Sequence, residues 1–356
     1  MPASDQPSGT IRTVCGDRPA AAFSAVMVHE HLLYDITPPG AAPDDTEITP
    51  HNRWQIDYLS NRTAANARQQ DWRVARDELA GFAADGGDLI VDQSVGGLAR
   101  DPAGLRAASE ASGCAVVAAA GVYTAAYLDA ATREADSDTL AARFVDEITV
   151  GLDGTDVRAG LIGEIGCSWP LEDVERRALV AAARAARQTG AGISVHPGRD
   201  PSAPFEIVDI LGEAGAELSR VAVCHMDRTY PDPGADGPME LARLGVMVEW
   251  DFFGVETSHY WMDADLELPT DRGRLRAIRA LIDAGLRDRI LVSHDICTRT
   301  RTRTFGGHGY GHVLRNAVPL MRHLGMSPDD VARLIRFNPL RLLAMPQAAT
   351  RPEFAR

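Results

Sequence analysis

The stretch AVMVHEH, Ala25–His31, is a short apolar run that ends in two histidines one residue apart. Alternate residues of a strand project to one face, so His29 and His31 can reach a common point, as a metal site requires. Glu30, between them, faces the other way. A His-x-His pair carries little information alone; its meaning depends on what the rest of the chain places beside it.

Seven further β-prone runs follow: Asp88–Asp92 (DLIVD), Ala115–Gly121 (AVVAAAG), Gly160–Ile165 (GLIGEI), Gly192–His196 (GISVH), Arg220–His225 (RVAVCH), Gly245–Asp251 (GVMVEWD) and Arg289–Asp295 (RILVSHD). Between most of them lie segments of helical character rich in alanine, leucine and arginine, such as Leu171–Thr189 and Asp271–Ala284. Near-continuous apolar strands alternating with helices predict a parallel sheet covered by helices, and eight such units predict a (β/α)8 TIM barrel. A doubly wound open sheet is the competing architecture, but no glycine-rich dinucleotide fingerprint follows the first strand. Residues 1–24 read as a lead-in arm, 25–346 as one barrel domain and 347–356 as a tail. The Pro-, Gly- and Asp-rich stretch Leu32–Thr49 reads as a long loop, with Tyr34 either lining a pocket or packing.

With 356 residues, 45% of them hydrophobic, the chain can bury a large core. A formal charge of -14 argues against nucleic acid or an anionic membrane as partner. No apolar stretch has transmembrane length, and MPASDQPSGT lacks the basic start and apolar core of a secretory signal. The cysteines Cys15, Cys114, Cys167, Cys224 and Cys297 are scattered and odd in number, which suggests reduced thiols in a cytoplasmic protein. All 36 basic residues are arginines, so Schiff-base and P-loop lysine chemistry are both removed.

The polar residues that end the strands form a pattern. His29 and His31 end the first run, Glu164 the fourth, His196 the fifth, His225 the sixth and Asp295 the eighth. In a barrel these ends converge on one rim, so four histidines and two carboxylates fall where a metal centre would form.

These residues lie in stretches that resemble the phosphotriesterase family of the amidohydrolase superfamily, most of all its phosphotriesterase-related branch. The stretches are VHEHL (Val28–Leu32), GEIGCSWPL (Gly163–Leu171), VHPGR (Val195–Arg199), CHMDR (Cys224–Arg228), SHDI (Ser293–Ile296) and GGHGYGH (Gly306–His312). The resemblance runs from about Val14 to Ala344. It implies two divalent ions, Zn2+ in first place with Mn2+ or Co2+ as substitutes. One would bind His29, His31 and Asp295, the other His196 and His225, with Glu164 bridging. Founding members bridge with a carboxylated lysine; a chain without lysine must use the glutamate, a trait of the phosphotriesterase-related branch. Founding members also place proton-shuttling aspartates after the sixth strand. Here Asp227 could take that role, but Arg228, permanently cationic, cannot.

The implied chemistry is attack on a carbonyl by a hydroxide shared between the ions, with Asp295 passing the proton to the leaving group. Expected substrate contacts are Tyr123, Arg228, Tyr260, Arg299 and His308, with one of Arg228, Arg299, Arg301 and Arg303 gripping an anionic substrate. The alternative for these arginines is a solvated loop face. His308 and His312 read equally as lid or as turn packing, His294 as structural, and Asp92 as orienting a ligand histidine. The leading function is amide hydrolysis of a small N-acylated amino acid or amino sulfonate. A lactonase with side phosphotriesterase activity and a non-catalytic metal-binding barrel are the alternatives. A homodimer is expected from the resemblance only.

Overall fold

The computed structural model describes residues 8–345 except 42, 43, 45 and 60–62; the predicted tail, 347–356, lies outside the described residues. Eight parallel strands form a nearly closed barrel: β1 (Val26–Glu30), β2 (Leu89–Asp92), β3 (Ala115–Ala120), β4 (Leu161–Gly166), β5 (Ile193–His196), β6 (Val221–Val223), β7 (Met247–Trp250) and β8 (Ile290–Val292). Each pairs in parallel with its sequence neighbour from β1 through to β8. The fold is the expected (β/α)8 barrel.

Side-chain alternation separates two apolar layers. Val26, Val28, Leu89, Val91, Ala115, Val117 and Leu291 pack inside the barrel, whereas Met27, Ile90, Val116 and Val292 pack outward against the helices. Local chemistry sets the helix ends. In Pro102–Ser112, the Asp101 side chain accepts from Gly104 N at the start, and Gly113 at φ 74° ends it. The helix expected over Leu171–Thr189 begins at Asp173, because Glu172 and Glu175 form a capping box ahead of it.

The segment read as a lead-in arm is more than that. Thr10–Thr13 and Gly16–Pro19 form a hairpin, and Thr10 bridges Met345. Ile11 and Phe23 join Leu340, Leu342 and Leu343 in the interior cluster, so the first and last described segments together cap the bottom of the barrel. No apolar run marks the hairpin, because Ile11 is the one buried apolar side chain of its first strand and Gly16–Pro19 buries none.

Four strand ends depart from regular geometry. Val28 is interior, yet so is His29, and a register shift lies between Met27 and Glu30. A second shift lies between Ile162 and Ile165, where Gly163 has φ 111°. A Cβ on Gly163 would stand 1.9 Å from the Ser194 carbonyl oxygen, so only glycine fits that turn. His225 and Asp295 hold φ of 59° and 47°, left-handed values that cost energy for such residues. Irregular backbone therefore coincides with the residues that face the centre of the rim.

Candidate metal centre

Glu164 is the hub. Its Oε2 lies 3.0 Å from His196 Nδ1, 3.4 Å from His225 Nε2 and 3.4 Å from His29 Nε2, and its Oε1 lies 3.4 Å from His31 Nε2. Asp295 Oδ1 stands 3.2 Å from His31 Nε2 and 3.8 Å from His29 Nε2. Donors around a tetrahedral ion with bonds of about 2.1 Å are themselves about 3.4 Å apart, so this spacing suits metal. His29/His31/Asp295 and His29/Glu164/His225 both converge closely enough to hold an ion. His29 is fully buried with neither ring nitrogen hydrogen-bonded, an arrangement that costs about 1–3 kcal/mol per unmet group unless something else satisfies it. The two clusters share His29, and Glu164 brings His196 up to them, so the six sequence-predicted ligands are brought together in a donor set whose chemistry fits divalent ions.

The electrostatics agree. Burial opposes ionisation of Glu164, but the charge of His29 and the hydrogen bonds of His196 and His225 hold its carboxyl well below the usual range. Burial likewise works against Asp295, which the hydrogen bond from His31 and the charge of His29 keep low. Both carboxylates are therefore anionic. Burial pushes His196 down to about 3, reinforced by Arg228 and His225 and opposed by Glu164, so its ring is neutral with a lone pair to give.

A surrounding shell fixes the rings. Asp251 Oδ1 meets His225 Nδ1 at 2.9 Å, a carboxylate–histidine pair of the kind that orients metal ligands. His29 Nδ1 faces Asp251 Oδ2 at 3.4 Å and Glu249 Oε2 at 3.7 Å. His31 Nδ1 meets the Ser94 hydroxyl at 3.1 Å. Asp92, expected to orient a histidine, makes no hydrogen bond to one among the described residues; it accepts from the backbone N–H groups of Leu32, Leu33 and Ser94, and Ser94 in turn meets His31. Asp251 ends a predicted strand, so the strand-end rule that found the ligands could have flagged it as well.

The cluster opens into a cavity of about 450 Å3 lined by residues of seven loops, among them Ile36, Tyr123, Trp169, Arg199, Arg228, Phe252, Tyr260, Trp261 and Arg301. Tyr123 and Tyr260, expected to touch substrate, both line this cavity, and the Tyr123 hydroxyl is 3.5 Å from His196 Nδ1. Burial holds that phenol protonated by raising it well above its ordinary value. Arg228 is also in place: its Nη2 donates to Pro197 O at 2.8 Å and lies 3.0 Å from His196 Nε2, while its buried Nη1 has no partner.

Other expectations are corrected. Arg299 donates to Ala65 O and lies over the Phe305 ring, outside the cavity. His308 packs against Gly254 and Arg301, also outside it. Arg303 pairs with Asp85, and Arg301 is held by the carbonyls of His294 and Asp295. Alternating arginines in a loop give no signal of which one turns inward. Asp227 cannot shuttle protons, because it is buried in an ion pair with Arg274 and accepts from the N–H groups of Asp251 and Phe252. His312 pairs with Asp271, and the loop that carries it reaches the site only through Tyr310, whose hydroxyl donates to His31 O. His294 is structural, as expected: it bonds Glu30 and accepts from Val313 N.

Known proteins align with this architecture throughout. The N-acetyltaurine hydrolases of Rattus norvegicus and Homo sapiens are each 37% identical over 340 residues, spanning 93% of this chain and 97% of theirs. The crystal structure of a resiniferatoxin-binding protein from Rhodobacter sphaeroides superposes with a TM-score of 0.87 at 33% identity, covering 96% of both chains. The phosphotriesterase homology protein from Escherichia coli, complexed with phosphate in its active site, gives 0.74 at 27% identity over 90% of this chain and 99% of that one. The sequence model of the phosphotriesterase family matches residues 9–343, and with the barrel and its rim described, the chain belongs to that family of metal-dependent hydrolases.

Proposed function

We propose that this chain hydrolyses the amide bond of a small N-acylated amino sulfonate, with N-acetyltaurine as the type substrate. His29, His31 and Asp295 would hold one divalent ion and His196 and His225 the other, with Glu164 between them and zinc the first choice for a nitrogen–oxygen donor set. Two such ions, when bound, lower the pKa of water toward neutrality and act as Lewis acids on a carbonyl. Asp295, anionic and 8% exposed at the cavity floor, takes the proton from the attacking water and delivers it to the leaving amine nitrogen. The neutral phenol of Tyr123 donates a hydrogen bond toward the acyl oxygen. Trp169, Phe252 and Trp261 keep bulk water from the substrate.

The observation that carries this reading is Arg228. Its guanidinium touches His196, pairs with no carboxylate among the described residues, and keeps one buried donor unused. A buried cation of that kind suits an anion, and a two-carbon spacer is enough to join a sulfonate there to an amide beside His196. The relatives named for N-acetyltaurine hydrolysis support the same choice. Cytoplasmic residence fits the five free cysteines. Among the described residues, no helix is long and apolar enough to cross a membrane.

The test is kcat/KM of the zinc-reconstituted protein on N-acetyltaurine, with Glu164→Gln as background. Turnover that Arg228→Ala lowers mainly through KM supports the reading. Turnover of lactones without amides would reassign the reaction.

A further inference from the structure

Arg199 closes the VHPGR stretch, three residues past His196, on the rim of the same cavity. The exposed arginines of this acidic chain commonly pair with carboxylates, as Arg106, Arg133, Arg184 and Arg279 do. Arg199 does not. Its Nε donates to the Tyr260 hydroxyl at 3.3 Å, its Nη2 meets Met262 Sδ at 3.0 Å, and its Cζ is 5.6 Å from the Tyr260 ring centroid. Asp200 beside it turns its carboxylate to Ser202 N instead.

The segment that carries Arg199 is rigid. Arg228 holds the Pro197 carbonyl, two residues before Arg199. A Cβ on Gly198 would meet the Trp169 Cβ at 2.5 Å, so the backbone packs against that residue as closely as glycine permits. The Tyr260 face and hydroxyl then fix the guanidinium, so little entropy remains to be lost on binding. Both guanidinium groups line the same cavity, and neither has an acid partner among the described residues.

We propose that Arg199 is the outer arm of a two-arginine clamp that selects sulfonate over carboxylate and neutral ends in the amine half of the substrate. This rests on the amidase reading above. A carboxylate offers two oxygens, which one planar guanidinium satisfies; a sulfonate offers three, which leaves one for a second donor. Arg199 is thereby a specificity residue, with no part in bond cleavage.

The experiment compares wild type, Arg199→Ala and Arg199→Lys, all zinc-loaded, on N-acetyltaurine, N-acetyl-β-alanine and N-acetylethanolamine. These share a spacer and differ in ending as sulfonate, carboxylate or hydroxyl. Ethanesulfonate binding is measured on the same samples by calorimetry. Arg199→Ala should raise KM for N-acetyltaurine by about tenfold, as expected for one charge-assisted bond at a partly exposed site, with kcat within about twofold. Ethanesulfonate affinity should fall in parallel, the N-acetylethanolamine constants should hold, and Arg199→Lys should recover only part of the loss. Unchanged KM and unchanged ethanesulfonate affinity in Arg199→Ala would overturn the proposal. If no amide is cleaved while ethanesulfonate binding still depends on Arg199, the clamp stands and the amidase reading fails.

Discussion

His29, His31 and Asp295 stand at the seam where the barrel closes, while His196 and His225 face them from β5 and β6 with the cavity beside them. The two sides are built differently. Among the described residues no ladder joins β1 to β8; side chains and single backbone bonds join them instead. Glu30 accepts from the Ser293 hydroxyl, from the N–H groups of His294 and Ile296 and from His294 Nδ1, at 2.5–3.1 Å. His29 N donates to Ser293 Oγ, and Asp295 N donates to His29 O. The far side is looser: the His196 side chain is 20% exposed, and Asp251 is the principal clamp on His225. The contrast suggests an enclosed ion at the seam and an accessible one where substrate arrives.

The strongest way to break that contrast is to remove what both sides share. Glu164 touches all four histidines, and Asp295 is the proposed proton carrier, so Glu164→Gln and Asp295→Asn should each lower kcat/KM by about a thousandfold, within the range of general acid–base loss. Steady-state kinetics at saturating zinc check this; a loss under tenfold for Asp295→Asn would remove it from proton transfer. The next effect separates the sides. Glu30→Gln should weaken the seam ion by about 10–100-fold, and Asp251→Asn, which loses the 2.9 Å bond to His225 and a longer 3.4 Å contact to His29, should weaken the far ion by a similar factor and the seam ion less. Chelator competition followed by zinc analysis would show which of two steps moves, and a single shift common to both variants would erase the distinction.

Proton release sharpens it further. In the metal-free chain burial works against a charged His31, but hydrogen bonds to Asp295 and Glu164 prevail and raise it to about 10, whereas His196 is pushed down to about 3. At neutral pH His31 keeps its proton and His196 does not. Zinc must displace the His31 proton, so seam affinity should climb as pH rises from 7 toward about 10; on the far side His196 adds no dependence there, and the only contribution comes from His225, which Asp251 holds up against its burial. Calorimetry in buffers of different ionisation heat measures the protons released. The smallest effect belongs to Arg299. Outside the cavity, Arg299→Ala should leave KM within about twofold and cost about 1 kcal/mol of stability through its lost carbonyl bond and its lost contact with Phe305.

Strand residues and loop residues differed in how legible they were. The eight strands announced themselves because burial on both faces demands unbroken apolar runs, and the ligands announced themselves because a metal site needs His, Asp or Glu where such runs end. The parity rule alone would have turned His29 and Glu164 away from the centre; bulges that no residue pattern advertises turn them back. Arg199, Arg228 and Arg301 face the cavity while Arg299 and Arg303 do not, and only tertiary packing makes that choice. Asp227 was misleading for the same reason, since its partner Arg274 comes from a helix 47 residues on.

The most direct test titrates zinc into chelator-stripped protein while N-acetyltaurine turnover is followed. The account predicts activity that rises to a plateau at two ions per chain and is absent in Glu164→Gln. A plateau at one ion, or turnover that persists in stripped protein, would contradict it.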